Sequence, residues 1–207
     1  MLDDDAMQLQ TVAGRIGPLF APNEEIADGL TLVQRAFARL DQREQWLVEL
    51  LVRSSDYPLL NSFRRAINWL GNGWLYLFAT VAVLIWQGKS GIRPVLAAAC
   101  AAGCAVVFYT SLKPLLGRLR PRDADPLLRL PIEPMDKYSC PSGHCMSATA
   151  IAVPLLASFP QFQAAILSLG ILIAWSRLAC GHHYLSDVLL GIGLGVLVSM
   201  PICGLIL

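Results

Sequence analysis

The sequence predicts an all-α fold, an integral membrane helical bundle of about five transmembrane helices preceded by N-terminal interfacial helices. Three observations predict it. Of 207 residues, 55% are hydrophobic and only 15% charged, against roughly 25% charged in a soluble domain, so much of the chain is not built to face water. The apolar residues are gathered into uncharged runs of membrane length, and the titratable remainder clusters at the ends of those runs. A net charge of +1 offers no basis for a nucleic-acid partner, and the apolar content excludes disorder as the main state.

Residues 1–65 form a polar segment. Asp3, Asp4 and Asp5 open it with no basic or apolar stretch behind them, so no signal peptide is expected. From Leu30 the apolar residues Leu30, Val33, Phe37 and Leu40 recur every three or four positions, with Arg35, Arg39 and Arg43 between them, which predicts an amphipathic helix. A second follows Pro58, with Leu59, Phe63, Ile67 and Leu70 on one side and Arg64 and Arg65 on the other. Both suit either the headgroup region or the protein's own surface.

Residues 66–207 make the membrane-embedded domain. No charge falls between Arg65 and Lys89, between Arg93 and Lys113, or from Val188 to Leu207. From Tyr138 to Ser176 the titratable groups of note are His144 and cysteines. A helix needs about 20 apolar residues to span a bilayer, so the longest run divides at Phe159-Pro160-Gln161. Five spans result: about 73–88, 94–113, 145–159, 161–178 and 187–207. Cys100/Cys104 and Gly191-x-x-x-Gly195 read as small residues for close helix packing, with Gly195 also allowing a homodimer.

Charged residues beside apolar spans are costly and usually functional. Three clusters stand out. Lys113, Arg118, Arg120 and Arg122 follow the second span; Arg118 and Arg122 read as interfacial snorkelling cations, whereas Lys113 and Arg120, two helical turns apart, suit a bipartite anion site. Tyr138-Ser-Cys-Pro-Ser142-Gly143-His144 opens the third span, where a helix N-terminus offers free N–H groups to an anion; an ordinary cap with an interfacial histidine is the alternative. Ser176-Arg177 ends the fourth span, and His183 and Asp187, four apart, open the fifth, where a carboxylate on one imidazole nitrogen leaves the other free as nucleophile or base. Counting spans puts all three clusters at one membrane face. Together they describe a site for a doubly charged anion, with phosphate the obvious candidate.

On these residues the sequence resembles the type 2 phosphatidic acid phosphatase (PAP2) superfamily, which includes lipid phosphatases, isoprenoid diphosphate phosphatases and vanadium haloperoxidases. The tripartite signature stands in order: Lys113 and Arg120-Pro121, then Pro141-Ser142-Gly143-His144, then Ser176-Arg177, His183 and Asp187. The resemblance covers about residues 66–207. It implies an integral membrane lipid phosphatase acting on a lipid phosphate or diphosphate, such as undecaprenyl diphosphate, phosphatidate or phosphatidylglycerophosphate. His183 would be the nucleophile that forms a phosphohistidine, Asp187 would orient it, and His144 would serve as general acid and base. Lys113, Arg120, Ser142, Gly143 and Arg177 would hold the phosphate, with no metal and no cofactor. The chain departs from the six-helix bacterial form in having no apolar span before residue 66, and in Cys140 and Cys145 beside the second motif. Asp136-Lys137-Tyr138-Ser139 resembles isoprenoid-diphosphate members.

With five spans, 14 of the 16 basic residues fall on the side of the clusters, Arg15, Arg129 and Lys137 among them, and only Lys89 and Arg93 lie opposite. The positive-inside rule then favours a cytoplasmic active site in the cell (inner) membrane. Six cysteines without a paired framework fit a reducing compartment. The competing readings are a metal site drawn from Cys140, His144, Cys145, Cys180, His182 and His183, whose spacing matches no zinc site, a lipid-phosphate binding protein, and a phosphotransferase using the same phosphohistidine.

Overall fold

The computed structural model describes residues 32–54, 57–124, 132, 134 and 136–207, and no strand occurs among them. Asp3, Asp4, Asp5, Arg15, Leu30 and Arg129 lie outside the described residues, and with them the expected acidic, leaderless start. The helices are α1 (Leu32–Arg53), α2 (Pro58–Trp69), α3 (Leu75–Gln87), α4 (Ile92–Leu116), α5 (Pro121–Ala124), α6 (Gly143–Ser158), α7 (Gln163–Ala179) and α8 (Leu185–Ile206). A kinked turn, Leu70–Trp74, with non-helical backbone at Gly73, joins α2 to α3. The chain divides into two compact units, Met1–Gln42 and Arg43–Leu207. All that follows concerns the second.

Three stretches are long and apolar enough to cross a membrane, Pro58–Asp123, Pro160–Ala179 and Leu185–Ile206, and α6 is a shorter apolar helix. The first contains both α3 and α4, which turn at Gly88–Gly91. The five predicted spans thus correspond to α3, α4, α6, α7 and α8, with every end within three residues. Phe78, Ile85, Val107, Ile171, Leu197 and Leu205 are all exposed. That outward apolar surface suits lipid as the surrounding solvent.

The core is where α4, α6 and α8 meet, with Ala101, Ala105, Met146 and Ala150 at its centre. A Cβ at Gly191 would meet the Ser142 carbonyl oxygen at 2.6 Å, and one at Gly195 the Met146 carbonyl oxygen at 2.6 Å. The two glycines therefore let α8 lie directly on the α6 backbone. This bears out their reading as packing residues. Cys100 and Cys104 correct the other packing expectation. Both are exposed, and the buried face of α4 is Ala97, Ala101 and Ala105, one position round the helix.

The second amphipathic helix buries two polar residues that a soluble one would expose. On α2, Arg64, Ile67 and Asn68 are buried, while Leu59 is 88% exposed and Phe63 is exposed. The Arg64 guanidinium donates to the Ala179 carbonyl at 2.6 Å and to Asn61 Oδ1 at 2.7 Å. A cation thereby meets the negative end of α7, while Leu59 and Phe63 face outward and Ile67 packs inward beside Arg64.

Candidate active site

At its lower end α4 stops on Gly117, in the left-handed region at φ 62°, with its N–H on the Lys113 carbonyl at 2.9 Å. This cap turns the chain inward one turn past Lys113. Arg118 and Arg120 consequently enter the protein, and both are buried. Lys113 is buried too, its ammonium donating to Asp136 Oδ2 at 2.7 Å. Arg120 donates through Nε to the Asp136 backbone carbonyl at 2.9 Å and pairs through Nη2 with Asp136 Oδ1. Its Nη1 donates to the His182 carbonyl at 2.5 Å and lies 3.5 Å from His183 Nε2.

Ser142 caps α6 in extended backbone, donating its N–H to the Asp187 carbonyl at 3.0 Å, so the starts of α6 and α8 are tied together. Gly143 follows, with the Tyr109 ring 2.9 Å from where a Cβ would stand. The Ser142 hydroxyl and Arg177 Nε are buried and make no hydrogen bond among the described residues. Buried donors of this kind are costly unless something accepts from them. Arg177, at the end of α7, also donates from Nη2 to the Asn68 carbonyl at 3.0 Å.

His183 and Asp187 are brought together as the spacing predicts, but not in a hydrogen bond: His183 Nδ1 lies 3.7 Å from Asp187 Oδ2. The cause is local. α8 begins at Leu185, so Asp187 occupies its first turn and accepts from the Tyr184 N–H at 2.9 Å, while His183 stands just outside the helix. Burial foremost, with Arg120 adding to it, pushes the His183 imidazole down to about 4. The Asp187 carboxylate opposes that shift without cancelling it, so the balance favours the neutral imidazole.

The interfacial reading of Arg118 is wrong. Its side chain is 1% exposed and donates to Asp187 Oδ1 at 2.6 Å and to Ser186 Oγ at 2.7 Å. It also lies 4.3 Å over the Tyr184 ring and 3.6 Å from Glu44 Oε2. Glu44, from α1, accepts in turn from the Ser186 N–H at 3.1 Å and the Ser186 hydroxyl at 2.9 Å. A row Glu44, Arg118, Asp187, His183 therefore underlies the site. Arg122 stays partly exposed beside Asp123, 3.7 Å away. His182 turns aside, its Nε2 at 2.9 Å from the Ile132 carbonyl.

Asp136 is the second residue that motif spacing missed. Burial alone would raise its carboxyl, yet the hydrogen bond from Lys113 and the charges of Lys113 and Arg120 hold it below the usual carboxylate range. Its carboxylate thus sits on two cations suited to phosphate. Asp136→Asn removes that competing charge, so inhibition by vanadate is expected to tighten by about three- to tenfold, roughly 1 kcal/mol. An inhibition constant unchanged or weakened would show that Asp136 aids anion binding instead. Cys140 offers no thiolate beside this pair: burial first, then Asp187, pushes its thiol up to about 12. No group of three or more His, Cys, Asp or Glu arranged for a metal occurs among the described residues.

A membrane helical bundle with histidines, a carboxylate and several cations drawn to one end defines the class. The PAP2 superfamily pattern matches residues 92–204, more than half of the chain, and the chain belongs to that superfamily. It is 26% identical over 145 residues to lipid A 1-phosphatase of Rhizobium johnstonii, covering 60% of this chain and 59% of that protein. It is 29% identical over 154 residues to undecaprenyl-diphosphatase of Sulfolobus acidocaldarius, covering 72% of each. The chain thus spans about three-fifths of the first relative's length and nearly three-quarters of the second's. Among solved structures, the fold is similar to a transmembrane PAP2 type phosphatidylglycerolphosphate phosphatase from Bacillus subtilis, at TM-score 0.61 and 21% identity over 84% of this chain and 93% of that one. It is also similar to Aquifex aeolicus LpxE, at TM-score 0.65 and 26% identity over 76% of this chain and 93% of that one.

Proposed function

We propose that this protein is an integral membrane lipid phosphatase that hydrolyses a lipid phosphate or diphosphate through a phosphohistidine on His183. The observation that carries the reading is the convergence on His183 of Arg120, 3.5 Å from its Nε2, and Asp187, 3.7 Å from its Nδ1. Nε2 attacks phosphorus in line, the N–P bond forming as the bond to the leaving oxygen breaks. His144 gives its proton to that oxygen, then takes one from the water that attacks phosphorus, and the N–P bond breaks to return His183. Lys113, Arg120, Arg177, the Ser142 hydroxyl and the Gly143 amide hold the non-bridging oxygens and stabilise the charge that develops there. Asp187 keeps the imidazole oriented.

The catalytic region is residues 66–207, with 1–65 as an N-terminal interfacial segment. The active site opens at the cytoplasmic face of the inner membrane, on the side richest in Lys and Arg. The lipid tail stays in the bilayer while its headgroup reaches the three motifs. The preferred substrate is an isoprenoid diphosphate, supported by the relative named undecaprenyl-diphosphatase and by Asp136-Lys137-Tyr138-Ser139. Phosphate release from a panel of prenyl diphosphates, phosphatidate, phosphatidylglycerophosphate and lipid A, in detergent, tests this. The highest kcat/KM is expected on the prenyl diphosphate, with free phosphate as product and vanadate as competitor. A higher value on a monophosphate would overturn the substrate, and transfer to a second lipid in place of phosphate release would make the protein a phosphotransferase.

A further inference from the structure

The kinked turn between α2 and α3 contacts the site from outside the stretch that matches the superfamily, 92–204. Its sequence is Leu70-Gly-Asn-Gly-Trp74. The helical path breaks inside it, so α2 and α3 meet at a kink. Gly73 stands at φ 123°, a backbone conformation that side-chain-bearing residues rarely adopt. The turn is therefore built into the sequence rather than imposed by neighbours.

Two active-site residues rest on this stretch. Arg177 Nη2 donates to the Asn68 carbonyl at 3.0 Å, and it lies 3.2 Å from where a Cβ on Gly71 would stand, so only glycine admits the guanidinium there without a shift. His144 Nε2 lies 2.9 Å from Asn72 Oδ1. Four residues further, the Tyr76 hydroxyl is buried without a hydrogen-bond partner among the described residues. Asn68, Asn72 and Tyr76 are thus the polar residues of an otherwise apolar stretch from 67 to 79.

We propose that Asn72 is the positioning residue for His144: its side-chain carbonyl, delivered by the Leu70–Trp74 turn, accepts from His144 Nε2–H and leaves Nδ1 as the nitrogen that gives and takes the catalytic proton. The inference rests on the phosphatase reading above. A carbonyl acceptor stabilises the protonated imidazole and fixes the tautomer of the neutral one. That matters here because the other charges around His144 are cationic or neutral: Lys113 from α4, Arg177 from α7, and His182 and His183 from the turn before α8.

Kinetics of the purified full-length protein on a prenyl diphosphate, with pH profiles, test the assignment. Asn72→Ala is expected to lower kcat about tenfold or more with KM little changed, and to move the alkaline limb of the kcat profile to lower pH, since the acid is lost sooner as pH rises. Asn72→Asp places a carboxylate on the same nitrogen and is expected to restore kcat and move that limb to higher pH. In a His144→Ala background Asn72→Ala should have no further effect on kcat. A rise in KM with kcat and the limb unchanged would make Asn72 a substrate contact and overturn the proposal, as would additive losses in the double variant. If His144→Ala itself retains full activity, the phosphatase mechanism fails; if His144 matters and Asn72 does not, only the present assignment fails.

Discussion

His183→Ala is expected to abolish phosphate release from the purified protein, with kcat falling by about a thousandfold or more, while the melting temperature stays near that of the parent chain. The two halves of this result have separate causes. On the mechanism proposed above the imidazole forms the covalent intermediate, so its loss removes the chemistry. It carries little of the local structure, because Asp187 keeps its bonds to Arg118 at 2.6 Å and to the Tyr184 N–H at 2.9 Å without it. Vanadate should still bind, since Lys113, Arg120, Arg177 and Ser142 are untouched. Phosphate release retained in His183→Ala would mean that a different group attacks phosphorus.

Arg118→Met is expected to do the reverse, striking stability first. Asp187 is fully buried, and Arg118 is the cation that compensates it within hydrogen-bond distance. Removing one partner of a buried ion pair costs about 3–5 kcal/mol, which corresponds to a fall on the order of ten degrees in the melting temperature of a chain this size. Activity should fall as well, because the turn that presents His183 is held through Asp187. Arg118→Met combined with Asp187→Asn removes the orphaned charge, so it should recover part of the stability and none of the lost activity. A single variant that melts within a degree or two of the parent would show that Arg118 is the interfacial cation its sequence position suggests.

Arg118 also marks where the sequence stops being legible. An arginine just past an apolar span is the commonest snorkelling pattern, and nothing in spacing distinguishes it from one folded inward. The deciding feature is the left-handed Gly117 cap, which aims the following residues at α8. By contrast, the five spans were legible to within three residues because a charge-free run near bilayer length admits few alternatives. The gathering of Lys113, Arg120, Ser142, His144, Arg177, His183 and Asp187 at one end followed from the two crossings, an even number, that separate the loop after α4 from the loop after α7.

Amphipathic patterns were legible as helices but not as to which face is buried. On α2 the polar Arg64 and Asn68 turn inward and Leu59 outward. Hydrophobic periodicity identifies a core only when water surrounds the protein, and lipid reverses the preference. The same reversal explains why Cys100 and Cys104 face outward while smaller Ala97, Ala101 and Ala105 carry the close packing of α4. Asn72 and Asp136 were not legible for another reason: each meets its partners across long separations, 72 residues from Asn72 to His144 and 23 from Lys113 to Asp136. No local pattern announces such a contact.

The central claim is that phosphorus passes through His183. Rapid mixing of the purified protein with a lipid substrate radiolabelled in the transferred phosphate, followed by alkaline quench and peptide mapping, tests it most directly. The predicted result is an alkali-stable, acid-labile label on the peptide containing His183, formed faster than phosphate is released and missing in His183→Ala. Turnover with no label on the protein, or label on a different residue, would contradict it.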